Sequence, residues 1–171
     1  MKTKRIVPSE LVGNAGEFFV LGELTRRGWT AALTARNNRG YDILAKKGDE
    51  FAAIRVKTKT SISTVFQWNA KSTGDIFLEM SRSRDFCILV EIPADDVGPA
   101  YFVVPTKIID RWLRKDFTEW VTTPGAKGQQ RARDNPRRLF YVDTQAGKLG
   151  HGYLHKLGQY KGAWNLLESE S

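Results

Sequence analysis

The sequence predicts a single α/β domain over residues 1–171. A segment with helical periodicity lies near the N-terminus, and several short runs with strand-like alternation follow it. Hydrophobic residues make up 41% of the chain and charged residues 27%, which is the composition of a folded globular domain rather than of a disordered chain. The sequence shows no internal repeat and no linker, so one domain is the economical interpretation.

The expected element order is α-β-β-β-(α)-β-β-α-β-α, and it begins with a long helix. This helix is predicted over residues 10–27, with Ser9 as its N-cap and Gly28 as its stop. Its buried stripe is predicted from apolar residues at helical spacing, namely Leu11, Ala15, Phe18 and Leu21 or Gly22. Three more apolar residues widen the stripe, so most of the helix is expected to be buried: Phe19, Val20 and Leu24.

Three short strands are expected next, over residues 29–35, 41–45 and 51–59, with a hairpin loop at residues 46–50. The polar region that follows, residues 60–85, indicates only a short helix near residues 75–81. The remaining strands are predicted over 86–92, 100–104 and 139–142. A helix with Thr106 as its cap is predicted to run to about residue 115, and a final helix over about 153–168.

The charge of the chain indicates a polyanionic partner. There are 27 Lys and Arg residues against 19 Asp and Glu, a formal charge of +8, and nucleic acid is the commonest cytoplasmic polyanion. A loop at about residues 123–138 is predicted to contact phosphates, with a solvated loop as the alternative. Trp68 is the best candidate for stacking on a base. The cations of the loop are Lys127, Arg131, Arg133, Arg137 and Arg138.

Other roles are disfavoured by what the sequence lacks. No apolar run approaches the ~20 residues that span a bilayer, so no membrane partner is expected. The basic N-terminus is not followed by an apolar signal region, which predicts a cytoplasmic location. The only cysteine, Cys87, excludes an intrachain disulfide and a cysteine-based zinc site, and its apolar neighbours predict an inert buried thiol.

The candidate chemistry centres on Glu17, Asp42 and Lys57. Asp42 begins the second strand, Lys57 lies on one face of the next strand, and the hairpin would bring the two together. Carboxylates hold Mg²⁺, the metal activates a water molecule, and a lysine stabilises the developing charge. The alternatives are a strand-end cap for Asp42, a solvated side chain for Lys57 and an exposed helix position for Glu17.

Three segments resemble the core of the PD-(D/E)XK nuclease superfamily, in particular its small prokaryotic endonuclease and Holliday-junction-resolvase-like members. They are GEFFVLGEL at residues 16–24, GYDI at residues 40–43 and IRVKT at residues 54–58. The resemblance implies a restriction-endonuclease-like core, with a mixed central sheet flanked by helices. It also implies Mg²⁺ or Mn²⁺ at Glu17 and Asp42, catalysis assisted by Lys57, and DNA as the substrate. A homodimer is expected because double-strand cleavage needs two sites.

The chain departs from the superfamily pattern at Arg55, where Glu, Asp or Gln is usual. A guanidinium cannot ligate a metal, and within about 5 Å of a divalent ion its repulsion would cost roughly several kcal/mol. Three functions therefore stay open: a metal-dependent deoxyribonuclease, a catalytically degenerate nucleic-acid-binding protein, and a regulatory or interaction protein whose basicity is incidental. In the second, the strand would bind phosphates through Arg55, Lys57 and Lys59, together with the basic loop.

Overall fold

The computed structural model describes residues 7–35, 40–70, 75–77, 80, 82–94, 97–141 and 154–168. Its helices are α1 (Ser9–Arg26), α2 (Thr106–Thr122) and the short α3 (Leu154–Leu157), which is followed by 3₁₀ turns at Gly158–Tyr160 and Trp164–Leu167. Its strands are β1 (Thr30–Leu33), β2 (Ile43–Lys47), β3 (Glu50–Thr60), β4 (Val65–Asn69), β5 (Asp85–Ile92), β6 (Ala100–Pro105) and β7 (Arg137–Tyr141). Within these ranges no helix has both the length and the apolar character that crossing a membrane requires.

A mixed five-stranded sheet in the order β1-β2-β3-β5-β6 forms the centre of the fold. The central pair β3 and β5 is parallel, and the other neighbours are antiparallel. The predicted hairpin is confirmed, since Lys47 pairs with Glu50 across a two-residue turn in which Gly48 has φ +58°. The predicted α/β architecture, with a mixed sheet flanked by helices, is therefore confirmed.

Both faces of the central sheet are covered. On one face, Val20 and Leu24 of α1 pack on Ile54 and Ile88. The other face lies under α2 and a second, two-stranded sheet made of β4 and β7, called the β4–β7 ribbon below. Alternate residues of β5 enter the two cores, so its residues 86–90 are apolar without interruption, as the sequence predicted. Cys87 is fully buried there, and burial raises the pKa of its thiol to about 12, which makes it an inert thiol at neutral pH.

The predicted buried stripe of α1 is correct for Val20 and Leu24 and wrong for its other end. Leu11 and Phe18 are 55% and 61% exposed, and the helix turns Gly16, together with Val20 and Leu24, towards the sheet. Apolar residues surround this helix on several sides, so the periodicity did not fix which side is buried. The buried side is set by the contact between α1 and β3, because at Gly16 only a residue without a side chain fits against Thr58.

Helix starts also differ from the predictions. Ser9 is the first residue of α1 rather than its cap, and no side chain caps this end. Thr106 likewise begins α2, where its buried hydroxyl donates to a carbonyl oxygen of Met80 or Asp85, 2.9 and 3.0 Å away. A proline precedes each helix, Pro8 before α1 and Pro105 before α2, and its fixed φ suits a helix start without a polar cap.

The middle and the end of the chain bring further corrections. The strand β4 was not predicted, and the described residues of the expected short helix, 75–77 and 80, are not helical; the others lie outside the described residues. The helix α2 continues to Thr122, beyond the predicted end at residue 115. The tail is not one helix, because the chain turns at Gly162, where φ is +63°.

Candidate nucleic-acid site

A cleft of about 800 Å³ runs along the edge of β3 where β2 has ended. The last β2 partner on β3 is Ile54, so residues 55–60 extend past the hairpin and form the floor of the cleft. The first half of α1 forms one wall and β4 forms the other. The polar and charged side chains along the cleft include Glu10, Glu17, Asp42, Arg55, Lys57, Gln67 and Asn69.

Asp42 is held at the mouth of the cleft by two backbone contacts. Its amide donates to the carbonyl of Ile54 at 2.8 Å, and its carboxylate Oδ2 accepts from the amide of Val56 at 2.7 Å. Alternate residues of a strand direct their backbone groups to the same side, so this carboxylate replaces the carbonyl that a longer β2 would supply. A carboxylate has about four acceptor positions, so capping the strand leaves capacity for a ligand. The cap alternative for Asp42 is thus correct, and it is compatible with a role in binding.

Arg55 and Lys57 lie side by side on one face of β3 and both line the cleft. The Lys57 ammonium lies 5.7 Å from the ring centroid of Trp68, and an Arg55 guanidinium nitrogen lies 3.5 Å from the carbonyl oxygen of Gly40. Burial lowers the pKa of Lys57, and the neighbouring Arg55 charge lowers it further, while Asp42 acts in the opposite direction. The floor of the cleft therefore carries a pair of cations.

The lowered pKa of Lys57 predicts a pH-dependent effect of Lys57→Met on stability. Between the folded and unfolded pKa values the unfolded chain binds more protons, so the wild type gains stability as the pH rises through this window. The Lys57→Met variant has no ammonium group, so it does not carry the cost of burying a charge that the wild type carries at lower pH. We expect a higher melting temperature than wild type at pH 7 and a smaller difference at pH 10, measured by circular dichroism. The exposed Lys107→Met is the matched control, and equal differences at both pH values would contradict the prediction.

Lys59 shares this face but not this environment. Its side chain is buried, its ammonium lies 2.5 Å from the Glu91 carboxylate, and the Phe66 ring lies 5.5 Å away. The alternation of β3 correctly predicted which face Lys59 occupies, but not that the β4–β7 ribbon and Glu91 would cover it. Lys59 also lines the cleft, so its predicted contact with nucleic acid stays a prediction, although the ion pair with Glu91 offsets its charge.

The predicted basic loop separates into two groups of cations. The buried Arg138 guanidinium stacks 3.4 Å from the Phe117 ring centroid, and Arg131 lies 5.0 Å above Trp120 and donates to its backbone carbonyl at 3.3 Å. These two residues attach the segment to α2, and their predicted phosphate contacts stay predictions. The other three predicted residues, Lys127, Arg133 and Arg137, are exposed.

The prediction that Trp68 stacks on a base is wrong, because its ring is 2% exposed and lies beneath Lys57. Glu10, Gln67 and Asn69 line the cleft and were not predicted as site residues. Glu10 lies two helical turns before Glu17, a spacing of seven that places both on one side of α1 and could have been noticed. Gln67 and Asn69 alternate with buried aromatic residues, but this alternation covers only the five residues of β4, which is too short to predict a strand.

The side chains of the cleft do not fit the Mg²⁺ or Mn²⁺ site that the resemblance implies. Within the described residues, no three His, Cys, Asp or Glu side chains form a group that could hold a metal ion. Arg55 adds a permanent cation at the position where a ligand is usual. Oxygen-rich donor sets hold these ions, and the described donor set is too small.

The fold and the cleft define a protein of restriction-endonuclease-like architecture. The structure is similar to the bacterial homing endonuclease I-Ssp6803I, with a TM-score of 0.50 and 11% identity over 95% of this chain and 92% of that chain. It is also similar to Hjc, a Holliday junction resolvase from Archaeoglobus fulgidus, with a TM-score of 0.41 and 18% identity over 56% of this chain and 74% of that chain. No protein-family model and no curated protein matches the sequence. The similarity to the homing endonuclease confirms the predicted nuclease-like fold.

Proposed function

We propose that this chain binds DNA through its phosphates in the cleft, with Arg55 and Lys57 as the principal contacts and without a metal. The observation that carries the proposal is the pair of cations on the floor of a cleft of about 800 Å³. The similarity to a homing endonuclease of the same fold supports DNA as the class of ligand.

The two cations suit a phosphate backbone for different reasons. The planar Arg55 guanidinium can donate two parallel hydrogen bonds to one phosphate, whereas the Lys57 ammonium acts as a point charge. Cleft walls of low dielectric strengthen both interactions relative to an open surface. Burial makes Lys57 costly to keep charged, and an anion in the cleft would offset that cost.

Metal-dependent DNA hydrolysis is the second candidate function. A specific observation favours it, because Glu17, Asp42 and Lys57 line one cleft, as the resemblance implies. The described donor set does not fit a metal ion, so we derive no catalytic step from it. The predicted homodimer and cytoplasmic location stay predictions.

DNA binding is tested by fluorescence anisotropy with a labelled duplex over a salt series. We expect affinity to fall steeply with salt, to be the same in EDTA, and to lose about one unit of slope in Lys57→Gln. Arg111→Ala, which removes an exposed cation on α2 that does not line the cleft, is the matched control. Salt-independent or absent binding would overturn the proposal and leave a regulatory or interaction protein.

Parallel incubations of supercoiled, linear and branched DNA with Mg²⁺, Mn²⁺ or EDTA test hydrolysis.

The variant Asp42→Asn separates the two candidate functions. The amide oxygen keeps the acceptor for the Val56 amide but removes a negative charge from the mouth of the cleft. Under the binding proposal, DNA affinity rises by roughly two- to fivefold because phosphate repulsion is relieved. Under the hydrolysis candidate, any metal-dependent cleavage is lost. Asp49→Asn makes the same charge change in the exposed hairpin turn, and equal gains in both variants would contradict a local role for Asp42.

A further inference from the structure

We propose that the β4–β7 ribbon contacts the base edges of the DNA bound in the cleft, through the amide side chains of Gln67 and Asn69. This inference rests on the proposed DNA binding and adds the surface that would give it a sequence preference. The same ribbon contributes one wall of the cleft, so phosphates on the floor and bases at the wall would belong to one bound duplex.

One face of the ribbon is buried and the other is open. The antiparallel register pairs Gln67 with Leu139 and Asn69 with Arg137, so both members of each pair lie on the same face, with Cβ atoms about 4.5–5.5 Å apart. Gln67, Asn69 and Arg137 are exposed. The opposite face is packed into the core by Phe66, Trp68 and Phe140.

The open face carries groups that suit base edges. Among the described residues, no hydrogen-bond partner is recorded for the side chain of Gln67 or Asn69, and each amide offers a donor and an acceptor, the pattern that matches adenine in the major groove. Residues two apart on a strand are separated by about 6.6 Å. This is close to twice the roughly 3.4 Å between successive base steps, so the two amides match bases two steps apart.

Packing of the buried face of the β4–β7 ribbon fixes the positions of the Gln67 and Asn69 side chains. The buried Phe66 and Trp68 alternate with Gln67 and Asn69, so core packing positions both amides on a strand rather than on a loop. A two-stranded ribbon is also narrow enough to enter the major groove. Arg137 lies directly opposite Asn69 on β7 and is exposed. In the proposed complex its cation would contact a phosphate at the edge of the major groove.

The test is selection from a duplex library with randomised central positions. We expect the wild type to enrich a preferred sequence, and the double variant Gln67→Ala, Asn69→Ala to lose roughly tenfold discrimination at each of two positions two steps apart. Its affinity for random duplex should stay within about threefold of wild type, since the phosphate contacts remain. The control Gln130→Ala removes an exposed amide from the loop before β7 and should keep the preference.

Arg137→Ala supplies the complementary result. We expect it to weaken binding equally for all sequences and to lower the salt slope by about one. A wild type that binds DNA with steep salt dependence but without preference, or a double variant that keeps the preference, overturns this inference alone. A wild type that does not bind duplex DNA overturns both this inference and the proposed function.

Discussion

Reversing the charge of Arg55, in Arg55→Glu, is expected to lower DNA affinity about a hundredfold at near-physiological salt. A charge-assisted hydrogen bond contributes roughly 1.5–3 kcal/mol, and each 1.4 kcal/mol is about a tenfold change in affinity. The substitution also adds an anion to a cleft already lined by Glu10, Glu17 and Asp42. The salt slope should fall by more than one unit, measured by fluorescence anisotropy.

Two milder variants at the same position show which property of Arg55 matters. Arg55→Lys keeps the charge but not the planar donor pair, so it should keep the salt slope and lose part of the affinity. Arg55→Gln removes the charge, and its DNA affinity should lie between the affinities of the wild type and of Arg55→Glu. Arg55→Glu binding DNA as tightly as wild type would show that Arg55 makes no phosphate contact.

The Glu variant also tests what this position does to metal binding. It removes a cation and supplies a carboxylate beside Asp42, so titration calorimetry should detect Mn²⁺ binding in Arg55→Glu and none in Arg55→Lys. Metal-dependent cleavage that appeared only in the Glu or Gln variant would show that Arg55 disables a nuclease site. Equal metal affinity in the Glu and Lys variants would contradict this expectation.

Replacing Gly16 by alanine is expected to destabilise the fold by about 1–3 kcal/mol. In an exposed helix position this change stabilises by up to about 1 kcal/mol, but here the added Cβ would overlap the Thr58 side chain. The backbone approach of α1 to β3 is fixed by buried neighbours such as Val20 and Leu24, so the overlap cannot relax freely. Melting temperature should fall by roughly 2–4 °C per kcal/mol for a chain of this size, measured by circular dichroism.

Two other glycines of α1 provide controls for this prediction. Gly13 and Gly22 have open space where a Cβ would lie, so alanine at either position should leave stability unchanged or improve it by up to about 1 kcal/mol. Adding Thr58→Ala to Gly16→Ala removes the hydroxyl and methyl groups that collide and should restore part of the loss. A Gly16→Ala protein as stable as Gly13→Ala would show that α1 can move away from β3.

Local signals predicted the central part of the fold. The apolar run from Phe86 to Val90 is buried on both faces, so its strand could be predicted without knowing its partners. The turn at Gly48 fixed the register of β2 on β3, and that register places Asp42 beside Val56 and so near Lys57. For this reason the proximity of Asp42 to Lys57 could be predicted from sequence.

Features that depend on distant contacts could not be predicted. The strand β4 pairs with β7, some seventy residues later, and its own five residues carry a short signal. Strand alternation placed Lys59 on the same face as Lys57, but it could not show that Glu91 would neutralise that charge. In the sequence, Arg138 could not be distinguished from the other loop cations, because its neighbours along the chain do not indicate that it stacks on Phe117.

The carboxylate of Asp42 also bears on how copies of this chain behave towards one another. Beyond β2, Val56 and Thr58 of β3 direct backbone donors and acceptors to an edge that no described strand pairs with, and such an edge is a template for a strand from another molecule. The Asp42 side chain occupies the first of these positions, at Val56, and the wall formed by α1 narrows the approach to the rest. A ligand that fills the cleft would close the remaining edge, so the empty protein is the form most exposed to aggregation through β3.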